Sequence, residues 1–227
     1  MGSSVWTAPF SARSCGSCVA IAIFLLSCLG PRWAGSTAAA LDRSEKQEIR
    51  LPSRAETLRA QRTAASVRDR YLEDRDALMV TLAAWAAGSI TSGVALWAGA
   101  EGDRDERRAL GVQHVAWGTV NLGLAAVALI RTPIQRASAR RHEGIRSPLD
   151  ASELVTAAYW RGERGSLRSI FWWNAALDVL YVTTGLLLHT LGESDWVRGT
   201  GTGVLIQGAW LALFDSGSAL FVGARDL

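Results

Sequence analysis

Two aspartates, Asp178 and Asp215, stand in apolar stretches that read I-F-W-W-N-A-A-L-D-V-L-Y-V and G-A-W-L-A-L-F-D-S-G-S-A-L. A carboxylate near the middle of a membrane helix costs about 2.5–3.5 kcal/mol on insertion scales, so such residues are rare and usually carry a role. Two carboxyls at one depth in hydrocarbon can share a proton or hold a cation. Other polar side chains interrupt the same apolar runs: Gln113, Asn121, Asn174, Tyr181 and Gln207. Asn174, Asp178, Tyr181 and Gly185 follow offsets of four, three and four, which places them on one helix face.

Depth follows from a rise of about 1.5 Å per residue. Asp178 falls eight residues after the start of its span, Asp215 eight before the end of its own, and Asn121 nine before the end of a third. Those ends share one membrane side, so the three side chains are expected at one level, roughly 12–14 Å deep. Gln113 and Gln207 form a second level nearer the opposite face. Two readings stay open for this seam. In one, the groups hydrogen-bond one another, glutamine to glutamine and protonated Asp178 to Asn121 or Asp215, and fix helix register. In the other, the acid pair binds a proton or cation, with no Lys or Arg inside the spans to neutralise it.

The elements that must position these groups are membrane helices. Of 227 residues, 49% are hydrophobic and 20% charged, and the two kinds are segregated into blocks. The expected spans are 78–99, 109–130, 170–190 and 202–223, giving an all-α, up-down-up-down four-helix bundle. Ala84, Gly88 and Ser92 recur at intervals of four in the first span, a small-residue ridge suited to close helix packing. Trp172, Trp173 and Trp196 read as interface anchors, and Trp85, Trp117 and Trp210 as core.

Ahead of the spans, residues 1–40 resemble a signal peptide, with an apolar run from Cys18 to Gly30 and small residues Ala38-Ala39-Ala40. Cleavage there, retention as an anchor and lipidation at Cys28 all stay open. Residues 41–77 form a basic juxtamembrane helix, in which Ser53-x-x-Glu56 has capping-box spacing. Residues 131–167 read as a long polar loop broken by Pro133 and Pro148, with a short helix over Ala151–Trp160. The net charge is +3, and the cations, all arginine except Lys46, flank apolar segments. That placement suits loop charge and anionic lipid, not nucleic acid. The side carrying residues 41–77, the long loop and the C-terminus holds 18 Lys/Arg and the short loops four. The positive-inside rule puts that side in the cytoplasm, whereas signal cleavage puts residue 41 outside; orientation stays open.

Chemistry is bounded by what is absent from the spacing. All three cysteines (Cys15, Cys18, Cys28) precede the spans, so no thiol chemistry is expected in the main body. His114 and His189 read as interfacial, not as metal ligands, and no HExxH or nucleophile elbow is present. Paired aspartates are also the machinery of intramembrane aspartyl proteases, but their G-x-G-D motif is missing, since Asp215 follows Ala212-Leu213-Phe214. No enzyme, cofactor or metal is expected.

The two hairpins echo each other: Gln113, Asn121 and Gly123 correspond to Gln207, Asp215 and Gly217, which points to parallel repeats. The patterns Trp85-x-x-Gly88, Gln113-x3-Trp117-x3-Asn121, Asn174-Ala175-x-Leu177-Asp178-x-x-Tyr181-x3-Gly185 and Gln207-x7-Asp215 resemble a family of bacterial membrane proteins labelled only as a domain of unknown function. The resemblance spans about residues 55–224, with Ser89 at the position of the family's first-span asparagine. It implies four spans and a signal-like N-terminus, and no activity. The reading reached is a multi-pass protein of the bacterial inner membrane, a structural or assembly component with a hydrogen-bonded core. Its partners are the lipid bilayer and a second copy or another membrane protein. The alternative is a proton- or cation-linked small carrier or channel subunit using Asp178 and Asp215.

Overall fold

The computed structural model describes residues 53–100, 104–143 and 156–225. The signal-like segment, the start of the basic segment and Pro148 lie outside the described residues. The described residues form four helices: α1 (Arg54–Ala98), α2 (Asp105–Glu143), α3 (Ala157–Leu191) and α4 (Asp195–Ala224). All four are long and apolar enough to cross a membrane. The protein is an all-α polytopic bundle.

Side chains cap the starts of three helices, the first where the spacing indicates. Ser53 caps α1 in a reciprocal box: its Oγ accepts from the Glu56 amide at 3.3 Å and its own amide donates to Glu56 Oε2 at 2.7 Å. That amide holds the Glu56 carboxyl below its ordinary range. Thr156 and Ser194 cap α3 and α4 by accepting from the amides of Tyr159 and Val197. The main packing is within each hairpin, α1 on α2 and α3 on α4, with α2 against α4 and α1 against α3 closing the ring.

Two expectations change. From Arg54 onward the basic segment and the first span are one uninterrupted helix of 45 residues, about 67 Å long against a hydrocarbon core of about 30 Å. The expected loop over 131–167 is largely helix, because α2 runs on to Glu143 and α3 begins at Ala157. On the arginine-rich side the bundle therefore extends beyond the spans as a stalk. The stalk has its own core of Tyr71, Leu72, Ala139 and Trp160.

A polar collar joins stalk to spans and explains the continuity. Asp74, Arg75 and Asp76 are consecutive on α1. Asp74 is buried and accepts from Arg164 of α3 at 2.9 Å and from Arg225 at the end of α4. Arg164 also donates from Nε to the Val222 carbonyl (3.3 Å), one of the last-turn acceptors that α4 cannot pair internally. Arg75 donates to Gln135 Oε1 (2.7 Å) and to Thr132, whose hydroxyl donates to Asp76 at 2.5 Å, while Arg136 lies 3.9 Å from Asp76. These contacts grip α2 on both sides of Pro133, so the helix continues through a residue that lacks an N–H.

Removing one partner of a buried ion pair leaves the other charge uncompensated, at a cost of about 3–5 kcal/mol. Asp74→Ala is therefore expected to lower the melting temperature in detergent sharply. Ser53→Ala removes only an exposed cap and is expected to cost about 1 kcal/mol. Differential scanning fluorimetry of the two variants checks the order.

Candidate functional site

Glycine fixes how the spans cross. A Cβ at Gly93 would lie 2.7 Å from the Gly111 carbonyl oxygen, and one at Gly118 would lie 2.8 Å from the Ala86 oxygen, so α1 and α2 touch backbone to backbone. In the second hairpin a Cβ at Gly185 would overlap the Leu205 amide nitrogen, and one at Gly208 would meet Tyr181 Cβ at 2.9 Å. Between the hairpins, a Cβ at Gly203 would meet Gln113 Cβ at 2.5 Å. The ridge of Ala84, Gly88 and Ser92 takes no part in this. All three residues are exposed, a Cβ at Gly88 would meet nothing within 4 Å, and Ser92 donates to the Ser89 carbonyl of its own helix. The packing face of α1 is instead the stripe through Ala86, Ser89 and Gly93.

Inside this frame the polar seam separates into two levels. At the first, nearer the short loops, Gln207 is fully buried (0% exposed) and satisfied from α1: Trp85 donates its indole N–H to Oε1 at 3.0 Å, and Nε2 donates to Ser89 Oγ at 3.2 Å. The glutamine–glutamine pair does not form. Gln113 is buried one turn away against Gly203, where α2 and α4 cross. Trp85 stacks on Trp210 (4.4 Å between ring centroids, 2° between planes), and Trp210 stacks in turn on Phe214 at 5.1 Å.

The second level holds the acids. Asp178 (1% exposed) and Asp215 (5%) are neighbours across the α3–α4 contact, close enough to share a hydrogen bond when one is protonated. Asn121 (1% exposed) is at the same height. Trp117 meets Tyr181 edge to face at 5.1 Å, and Asn121 and Asp178 each lie about one turn below that contact on antiparallel helices. Neither amide atom of Asn121 has a hydrogen-bond partner, nor does Asp178 Oδ2. Asn174 is half-buried one turn before Asp178. Ser218, buried one turn after Asp215, joins the face although its sequence context gave it no prominence. Met79, Leu82, Ala125, Phe171, Ala219 and Val222 separate this level from the collar below.

His189 is exposed near the end of α3, with Nδ1 2.9 Å from Thr202 Oγ1. His114, near the start of its span, is buried on α2, with Nδ1 3.1 Å from the Leu110 carbonyl. Its place one helical turn inside the predicted span end matters less than its facing the bundle interior. Trp173, at 75% exposure, and the half-exposed Trp172 and Trp196 project outward, as interface anchors do. Spacing placed Trp85 in the core and Ser89 in the first span but missed their bonding to Gln207, and it missed the whole Asp74-Arg75-Asp76 collar. The signal for the collar was a buried stripe through Ala64, Arg68, Tyr71, Arg75, Met79, Leu82, Ala86, Ser89 and Gly93, spaced by threes and fours.

Gln207→Leu would strand the Trp85 indole and the Ser89 hydroxyl in a dry core. Intramembrane hydrogen bonds average about 0.6 kcal/mol and reach about 1.7 kcal/mol, so a loss of about 1 kcal/mol is expected. A change in tryptophan emission should accompany it, measured by fluorescence-detected unfolding.

The equivalent glycines Gly123 and Gly217 are both exposed with open space around them, and the equivalent polar positions in the two hairpins are all buried. No curated protein and no solved structure matches the chain. Residues 81–216, which include both polar levels, match a family of unknown function (DUF6992), and the chain belongs to that family.

Proposed function

We propose that this is a proton-binding, non-enzymatic protein of the bacterial inner membrane, a small carrier or channel subunit whose working group is the Asp178–Asp215 pair. The observation that carries the reading is the set of buried polar atoms without partners at the acid level: both amide atoms of Asn121 and Oδ2 of Asp178. A seam built only to hold helices together satisfies its donors and acceptors, as Gln207 does with Trp85 and Ser89. An orphaned amide beside two adjacent carboxyls calls for a guest such as water, a proton carrier or a small cation. Two touching carboxyls with no Lys or Arg in the spans hold a proton between them. Four spans are few for a lone carrier, so the reading includes an oligomer.

One feature favours the other reading, a structural or assembly component. The outward ridge of Ala84, Gly88 and Ser92 leaves a helix face on which a further helix fits closely. In that case the acid pair is a sealed hydrogen bond.

Infrared spectroscopy of the protein in lipid separates the two. The carboxyl bands of Asp178 and Asp215, assigned with Asp178→Asn and Asp215→Asn, are expected to titrate between about pH 5 and 8 if water reaches the pair. Bands that stay fixed across that range contradict proton exchange at the pair and leave the scaffold. The double amide variant is also expected to abolish proton flux in liposomes while leaving the unfolding free energy within about 1 kcal/mol of the parent, since the amides keep the shape.

A further inference from the structure

A separate feature sits on the lipid-facing side, away from the acids. α1 and α2 meet at Gly93 and Gly111, and their outer surfaces diverge there into a groove of about 370 Å³ lined by Val94, Trp97, Gly111, Val112, Val115 and Ala116. Its volume is at the low end of small-ligand pockets, roughly 300–1,000 Å³. The lining is apolar throughout, and Trp97 and Val94 form its exposed α1 wall.

One turn above the groove floor, on the same face of α2 as Gly111 and Val115, stands Arg107. Its guanidinium packs against the end of α1: a Cβ at Gly99 would lie 3.3 Å from Nη2. Arg107 makes no ion pair or hydrogen bond with another described residue, and its Nε is buried without a partner. Of the other described charges near it, two are engaged with each other. Arg108 donates to the Ala100 carbonyl and lies 4.0 Å from Asp105, and Glu106 has its backbone against Gly199 of α4.

We propose that this groove binds an anionic phospholipid, with one acyl chain between α1 and α2 and the phosphate on Arg107. The charge pattern selects this occupant. A guanidinium at the rim of an apolar slot matches a phosphate ester above a hydrocarbon chain, and Arg pairs phosphate through two parallel hydrogen bonds. Trp97, more than half exposed beside the slot, is placed as headgroup-level tryptophans are.

Native mass spectrometry tests this on the full chain, extracted from liposomes of equal parts phosphatidylglycerol and phosphatidylcholine. The parent is expected to retain phosphatidylglycerol in preference. Arg107→Gln should cut that retention by about five- to tenfold, the scale of one charge-assisted contact. Ala116→Trp, which fills the slot from its α2 wall, should reduce retention of both lipids. Arg198→Gln, which removes a cation from the other hairpin loop, should leave retention unchanged. Equal retention of the two lipids, or preference that survives Arg107→Gln, overturns the proposal, and Arg107→Gln decides it alone should Ala116→Trp fail to fold. A dimer peak that Ala116→Trp removes also overturns it, by giving the groove to a second copy.

Discussion

Close backbone contact at glycine is the constraint on which the rest of this bundle depends. Lipid tails are as apolar as the outward leucines, so hiding apolar surface gives the four spans little reason to associate. Dispersion contacts and interhelical hydrogen bonds must hold them, and both need the helix axes near one another. Gly93 with Gly111, Gly118 with Ala86, Gly185 with Gly201 and Leu205, and Gly203 with Gln113 bring them that near. Only at that separation do the short side chains of Ser89 and Asp215 reach across to another helix. The polar levels are thus a product of the glycine contacts, and the glycine contacts leave no room for a register shift.

The three interhelical polar layers obey different rules. The collar lies where the spans leave hydrocarbon, and there buried charges are paired: Asp74 with Arg164 and Arg225, and Asp76 with Thr132 and Arg136. The Gln207 layer is neutral and complete. The acid layer between them is neither paired with cations nor complete. An apolar stretch insulates it from the collar. The difference is one of charge: the collar sets its carboxylates against arginines, although Arg75 Nε and Arg136 Nε stay unpartnered there, whereas the acid level has no cation.

The collar also accounts for the length of the helices. α1 would have little reason to stay helical through its charged first half on propensity alone, since helical stability comes mainly from packing. Arg68 and Arg75 lie on its buried stripe, and Tyr71, Leu72 and Trp160 supply the apolar part of the stalk. The cation of Arg75 further lies 5.5 Å from the Tyr71 ring centre. Burial lifts the Tyr71 hydroxyl above its ordinary range, as a phenol enclosed in this core should be. The stalk is therefore a folded extension of the membrane bundle on its arginine-rich side.

Four helices, their order and the inward polar residues were legible from the chain, because a membrane leaves a long apolar run few alternatives to a helix. The capping box at Ser53 was legible for the same local reason, since its two bonds join residues three apart. What the chain did not disclose depends on distance in space. Arg68 and Arg75 sit on the core stripe, where a count of apolar residues marks them as surface, because only their partners on α2 and elsewhere make burial tolerable. Pro133 signals a break that Thr132, Gln135 and Arg75 override. Ala84, Gly88 and Ser92 have the spacing of a packing ridge, yet spacing cannot say which of two small-residue faces the neighbouring helix takes. α1 turned its Ala86–Gly93 face inward because Gly111 and Gly118 offer matching flat surfaces there. The partner of each polar group, Trp85 for Gln207 and Asp215 for Asp178, was likewise settled only when the helices had crossed.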